Sequence, residues 1–277
     1  MLESTAVFLA QEENAVSEKE IWLSMAFLEN LERFYGTGEK NRAGQDLETF
    51  LAGYDAKKYD CPSNTTDIIV LRCREKMEHW GQPLQVLLVK RSNHPSIGFW
   101  ATPGGFVEMR EDLYQGAVRE LEEETGVKGL PLQQLTTWGN YDRDPRWRVI
   151  TTSFLALVEG DIPVKAGDDA ADALWMDVEL ERETENAAES YHERMLSNGE
   201  EEREEKQKER QEIWNLSLKN EEHGITLGAR VRVCRSGHRL LAQERYELVE
   251  SKGIAVDHGC LIVQALLYVK GRLEVLE

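Results

Sequence analysis

Hydrophobic positions recur along this chain with two different periods. Asp67–Arg74 reads DIIVLRCR and Leu84–Lys90 reads LQVLLVK. Apolar runs this short and this continuous predict strands, the second one buried on both faces. Trp147–Val158 and Ala173–Val178 are rich in β-branched and aromatic residues and predict two more. The period then changes. Leu113, Ala117 and Leu121, with Val118 at the edge, recur at helical spacing, as do Leu261, Ala265 and Val269 within Gly253–Leu273. A further helix is predicted over 17–35, where Ser17 and Glu20 make a capping box ahead of Ile21, Met25, Leu28 and Leu31. Strand-like alternation returns at 213–249, in Ile213–Leu218 and Ala229–Val233. Helices interleaved with strands point to an α+β protein.

One stretch has neither period. Residues 179–212 carry 13 Asp/Glu against 6 Lys/Arg, and their bland reading is a solvated helix or a flexible insertion. The whole chain has a formal net charge of −18, so an extended nucleic-acid footprint is disfavoured. The short basic cluster Arg230, Arg232, Arg235, His238 and Arg239 is the one feature that pulls the other way. No run approaches the roughly 20 apolar residues of a membrane span. The N-terminus lacks the basic start and apolar core of a signal peptide, so a cytoplasmic location is expected. The four cysteines form no C-x-x-C pair, which argues against a zinc ribbon, and at least three of them are read as small buried hydrophobes.

The chemistry concentrates in GFVEMREDLYQGAVRELEEETGV, residues 105–127. On a helix, Glu120, Glu123 and Glu124 stand at i, i+3 and i+4 and share one face. Like charges at that spacing cost a bare helix about 0.2–0.5 kcal/mol per pair. Hard oxygen donors gathered in this way suit Mg²⁺ or Mn²⁺. Gly104 and Gly105 permit close backbone approach before the helix, and Gly126 stands where a C-terminal cap belongs. Arg119 can also pair with Glu123 at i, i+4.

This segment resembles the Nudix box, G-x5-E-x7-R-E-U-x-E-E-x-G-U with U aliphatic, and every fixed position is matched. Looser matches at 54–71, in the run DRDPRWR at 142–148 and at 253–266 are similar to the ADP-ribose pyrophosphatase branch and to related Nudix-type regulators. The resemblance implies an α-β-α sandwich, the Nudix fold, with a mixed sheet between helices. Residues 1–53 are then an N-terminal helical extension. Residues 54–277 are the Nudix domain, carrying an inserted acidic helical and β segment at about 179–250.

It also implies Mg²⁺-dependent (or Mn²⁺-dependent) hydrolysis of a nucleoside diphosphate linked to another moiety. Glu120, Glu123 and Glu124, with the Gly105 carbonyl, are then the metal ligands, and Arg119 orients them. The general base is Glu123 or a later loop residue, Asp168 or Asp169. Arg91, Arg143 and Arg146 are candidate phosphate arms. Phe99, Trp100, Trp138 and Trp147 are candidate base-stacking residues, each with core packing as the better reading. His258 reads as a cap or packing histidine. The expected partner is a small-molecule nucleotide, with nucleic acid and membrane disfavoured. The N-terminal helix covers a sheet face or forms a dimer contact, so a homodimer is allowed. The alternative is a Nudix-fold, ligand-binding transcriptional regulator.

Overall fold

The computed structural model describes residues 27–28, 30–167, 170–183, 189–197, 202–238 and 241–276. The chain divides into two compact units, with the boundary between Cys61 and Pro62. In the first, Glu32–Phe34 makes one 3-10 turn and α1 spans Leu47–Ala52, capped by the Asp46 side chain, which accepts from Thr49 N at 2.9 Å. Of the helix expected over 17–35, residues 27, 28, 30 and 31 are not helical, while residues 17–26, including the capping box, and residue 29 lie outside the described residues. Of its apolar stripe, Leu28 is exposed and Leu31 half-buried.

The second unit is built on one mixed sheet. Its strands are β1 (Ser63–Cys73), β2 (Leu84–Arg91), β3 (Trp100–Ala101), β4 (Gly104–Phe106), β5 (Gln133–Trp138), β6 (Val149–Glu159), β7 (Ala170–Arg182), β8 (Glu189–Ser197), β9 (Glu202–Asn220), β10 (Ile225–His238) and β11 (Leu241–Lys252). The main order is β11-β10-β9-β7-β2-β1-β6-β5. β1 and β6 run parallel, with Ile68 beside Phe154, while β1–β2 and β2–β7 are antiparallel.

Two helices cover the sheet, and side-chain alternation along the central strands shows which covers which face. Ile68 and Val70 of β1, Leu87 of β2 and Phe154 of β6 pack with Ala117 and Leu121 of α2 (Leu113–Thr125). Ile69 and Leu71, together with Val86 and Leu88, pack on the other side with Leu261, Ala265 and Val269 of α3 (His258–Leu276). Both faces are buried, which is why DIIVLRCR and LQVLLVK read as nearly unbroken apolar runs. Leu113, counted in the α2 stripe from spacing alone, is exposed; Gly116 and Thr125 take buried places beside Ala117 and Leu121.

The charged stretch departs most from expectation. The described parts of 179–212 are strand, not helix: β7 runs on to Arg182, and β8 pairs antiparallel with β9 from Glu189↔Arg210 to Ser197↔Glu202. A polar ladder satisfied by backbone hydrogen bonds has no apolar period, so periodicity could not reveal it. Past Glu212 the strands are core. Trp214, Leu216 and Leu218 of β9 and Leu227, Ala229, Val231 and Val233 of β10 bury beneath α3. These strands thus share one core with the final helix. Leu218→Ala, at a fully buried site, should cost about 2–5 kcal/mol and lower the urea midpoint accordingly. An unchanged midpoint would place β9 outside the core.

Candidate active site

α2 is fixed at both ends by its own sequence. Asp112 and Gln115 form a reciprocal capping box, with Asp112 N donating to Gln115 Oε1 at 2.9 Å. Gly126 closes the helix in the left-handed region (φ 71°) and donates its N–H to Glu122 O at 2.8 Å. The helix thereby holds the carboxylate face against β4, and β4 pairs with β1 through Thr66↔Gly105. A side chain at Gly104 would put its Cβ 2.1 Å from Thr66 O, and one at Gly105 would put it 2.5 Å from the Glu120 carboxyl. Only glycine allows the loop backbone and the glutamates to meet there.

Arg119 organises the carboxylates. Its Nε and Nη2 donate to Glu111 at 2.7 and 3.0 Å, Nη1 donates to Glu120 at 2.8 Å and to Glu123 at 2.9 Å, and Nη2 also reaches Phe106 O at 3.0 Å. The Arg119–Glu123 pair is the i, i+4 pair expected from the spacing. Glu111 is held below the ordinary carboxylate range by that guanidinium, while the Arg119 pKa rises, chiefly through the Glu111 bond.

Glu124 differs from its neighbours. Its Oε2 accepts the Gly104 N–H at 2.9 Å, and among the described residues no salt bridge reaches it. Burial, aggravated by the nearby charges of Glu120 and Asp67, pushes its carboxyl up to about 7. Burial also raises Glu120. Glu123 remains more than half exposed.

These groups line one cavity of about 650 Å³, with Asp67, Arg91, Arg143, Arg146 and His258 on its other walls. Among the described residues, no three His, Cys, Asp or Glu side chains converge closely enough to enclose a metal by themselves. Glu120 and Glu123 turn toward Arg119, and Glu124 turns toward Gly104 N.

The three candidate arginines are used differently. Arg91 donates Nε to Pro95 O at 2.7 Å and keeps both Nη groups without a protein partner among the described residues; burial lowers its pKa. Arg143 is spent as a fork on Asp257, at 3.0 and 2.9 Å, and only 7% of its side chain is exposed. Arg146 forks onto Asp144 at 3.0 and 2.8 Å, and its guanidinium lies 5.5 Å from the centre of the Phe106 ring. Asp168 and Asp169 lie outside the described residues. Trp100 is core, Trp138 packs tilted on Tyr246, and Phe99 and Trp147 are exposed.

Spacing gave no sign of the cavity floor. Asp67 accepts from Thr151 Oγ1 at 2.6 Å, and His258 Nδ1 lies 2.8 Å from Thr102 Oγ1 and accepts the Thr102 N–H at 3.2 Å. Asp67 lies in an apolar run and His258 at a helix start, and the only signal available was a charged residue inside a buried strand.

Comparison with known proteins gives the same family from several directions. A NUDIX domain profile matches residues 64–197. The chain is 39% identical over 113 residues to an ADPR responsive transcriptional repressor NtrR of Acinetobacter baylyi, covering 40% of this chain and 43% of the repressor. It is 44% identical over 94 residues to an ADP-ribose pyrophosphatase of Methanocaldococcus jannaschii, covering 34% of this chain and 55% of the relative. The chain thus spans about half the length of these curated relatives. A solved MutT/nudix family protein from Enterococcus faecalis superposes with TM-score 0.53 at 28% identity, over 84% of this chain and 75% of that one.

The Glu124 carboxyl gives a stability prediction. Its pKa of about 7 in the fold exceeds the ordinary 4.5. A raised acid favours the fold while protonated, so this contribution is whole below pH 4.5 and is lost as pH rises to about 7. Glu124→Gln, which does not ionise, should therefore be more stable than the parent at pH 8 in EDTA, on the order of 3 kcal/mol. The gain should vanish at pH 4. Thermal unfolding at the two pH values checks it, and an equal effect at both would refute the assignment.

Proposed function

Because this chain belongs to the Nudix family, we propose that it hydrolyses the diphosphate bond of a nucleoside diphosphate linked to a second moiety. ADP-ribose or a similar nucleotide sugar is the proposed substrate, and a nucleoside monophosphate is released. The observation that carries this reading is the gathered carboxylate face at the cavity wall, with Glu124 buried next to Glu120 and Asp67 and, among the described residues, linked to no cation by a salt bridge. A buried carboxyl that is costly to ionise alone fits a hard dication as its missing partner.

Glu120, Glu123, Glu124 and the Gly105 carbonyl would hold Mg²⁺ or Mn²⁺. When bound, such a cation neutralises phosphate charge and makes a water acidic enough to attack. The rest falls to the chain itself. Arg119 keeps Glu120 and Glu123 from turning away. Arg91, whose Nη edge is unspent among the described residues, is the proposed phosphate arm, while Arg146, forked onto Asp144, lines the same cavity. Glu123, exposed and held only by Arg119, is the proposed proton acceptor, with Asp169 as the alternative. A cytoplasmic location belongs to the same reading; among the described residues no helix is long and apolar enough to cross a membrane.

The likeness to the Acinetobacter baylyi repressor favours a second reading, a regulator that contacts DNA. Against it, the three arginines of the basic cluster that are described are neutralised in place. Arg230 pairs with Glu183, Arg232 with Glu247, and Arg235 with Glu244 and Glu212. Guanidiniums already matched to carboxylates offer little to a phosphate backbone. A gel shift at physiological salt should show no retained DNA.

Excess EDTA should abolish release of AMP from ADP-ribose. Glu123→Gln and Glu124→Gln should each lower kcat by about 100-fold or more while circular dichroism stays unchanged, since a carboxamide keeps the shape without the anionic oxygen. Near-parental turnover in both variants would move the active site elsewhere. Because the Glu124 proton must leave before a cation binds, Mg²⁺ affinity should weaken by up to about tenfold per pH unit below pH 7 and level off above it.

A further inference from the structure

We infer that Asp67, Arg143 and His258 form a hydroxyl-reading subsite for the sugar half of the substrate, and that Arg143 binds no phosphate. The inference rests on the proposed diphosphatase reading for the identity of the ligand, but its geometry is independent of the Nudix box.

Three elements bring the groups together. Asp67 comes from β1, Arg143 from the loop between β5 and β6, and His258 from the first turn of α3. Arg143 Nη2 lies 3.9 Å from Asp67 Oδ2, and His258 Nδ1 lies 3.9 Å from Asp67 Oδ1. All three side chains are about nine-tenths buried, and all three line the cavity. The group adjoins the carboxylate face, because a Cβ on Gly104, whose N–H binds Glu124, would fall 3.0 Å from Asp67 Oδ1.

What each group still has to give is decided by what it has already spent. Arg143 uses Nε and Nη2 on Asp257, and among the described residues Nη1 has no partner. Asp67 accepts from Thr151 through Oδ2, while Oδ1 accepts nothing within hydrogen-bond distance among the described residues. The backbone N–H of Thr102 can only donate, so His258 Nδ1 holds a lone pair and the ring proton is on Nε2. The unspent set is two donors, Arg143 Nη1 and His258 Nε2–H, and one acceptor, Asp67 Oδ1.

Charge selects the ligand. Two carboxylates, Asp67 and Asp257, surround one guanidinium, so the group carries a net negative charge that repels a phosphate. Hydroxyls donate and accept at once, and a vicinal diol matches a carboxylate acceptor flanked by two donors. Buried polar groups left unpaired by a ligand without hydroxyls would penalise it, which is how such a site discriminates.

The test compares ADP-ribose with the methyl ester of ADP, which has the same adenosine and diphosphate diester but lacks the second ribose. Binding is measured by calorimetry in EDTA, so that hydrolysis plays no part. The parent protein should prefer ADP-ribose by about tenfold or more, the scale of one or two hydrogen bonds. Asp67→Asn and Arg143→Met should each cut that preference at least fivefold, and His258→Gln, the mildest change, serves if either fails to fold. Equal binding of the two ligands by the parent, weak binding of both included, or a preference unchanged in the variants would overturn the inference. The diphosphatase reading is scored separately, by AMP release in Mg²⁺, and can fail while the binding preference stands.

Discussion

The carboxylate face exists because one guanidinium holds it. Arg119 donates to Glu111, Glu120, Glu123 and the Phe106 carbonyl, so three like charges that would drive one another apart share a single cation. Arg can do this and Lys cannot, since a planar fork of five donors spans acceptors on both sides of its plane edge. The spacing of the motif follows from that geometry. Glu111 lies in the loop, Arg119 two turns into α2, and the bond between them spans eight residues. Glu111 also accepts the Glu108 N–H at 2.9 Å, which fixes the loop ahead of the helix. Glu124 is the member that Arg119 does not reach, and burial, with the nearby charges of Glu120 and Asp67, raises its pKa.

The cavity is a product of two helices meeting one sheet from opposite faces. α2 brings the carboxylates to the β4 edge, and α3 begins beside β3, where Trp100 N donates to Gly253 O at 2.9 Å and Ala255 N to Trp100 O at 2.8 Å. That anchoring sets Asp257 and His258 against Arg143 and Thr102. Any change that shifts α3 along the sheet would therefore move the floor of the cavity while leaving the box intact. The β9–β11 strands hold α3 in place from beneath, as at Gly259, where a Cβ would fall 2.6 Å from Ala229 Cβ.

Elements whose information is local are legible in the chain alone. A fixed run of spacings specifies the box, its C-terminal glycine cap and the i, i+4 pair of Arg119 with Glu123. Apolar runs and helical periods specify β1, β2, β6, β7 and the final helix, because burial on one stripe or two faces leaves a period in the chain. The remainder rests on long-range register and pairing, which folding alone supplies. β8 and the charged half of β9 carry no apolar period, so their strand character comes from a backbone ladder that no local pattern records. Thr102 and His258 stand 156 residues apart, and Arg143 and Asp257 are 114 apart. No spacing encodes such contacts. Whether an arginine is an open arm, like Arg91, or a spent one, like Arg143, is fixed by the neighbour that folding supplies, since a guanidinium already forked onto a carboxylate has little left for a phosphate.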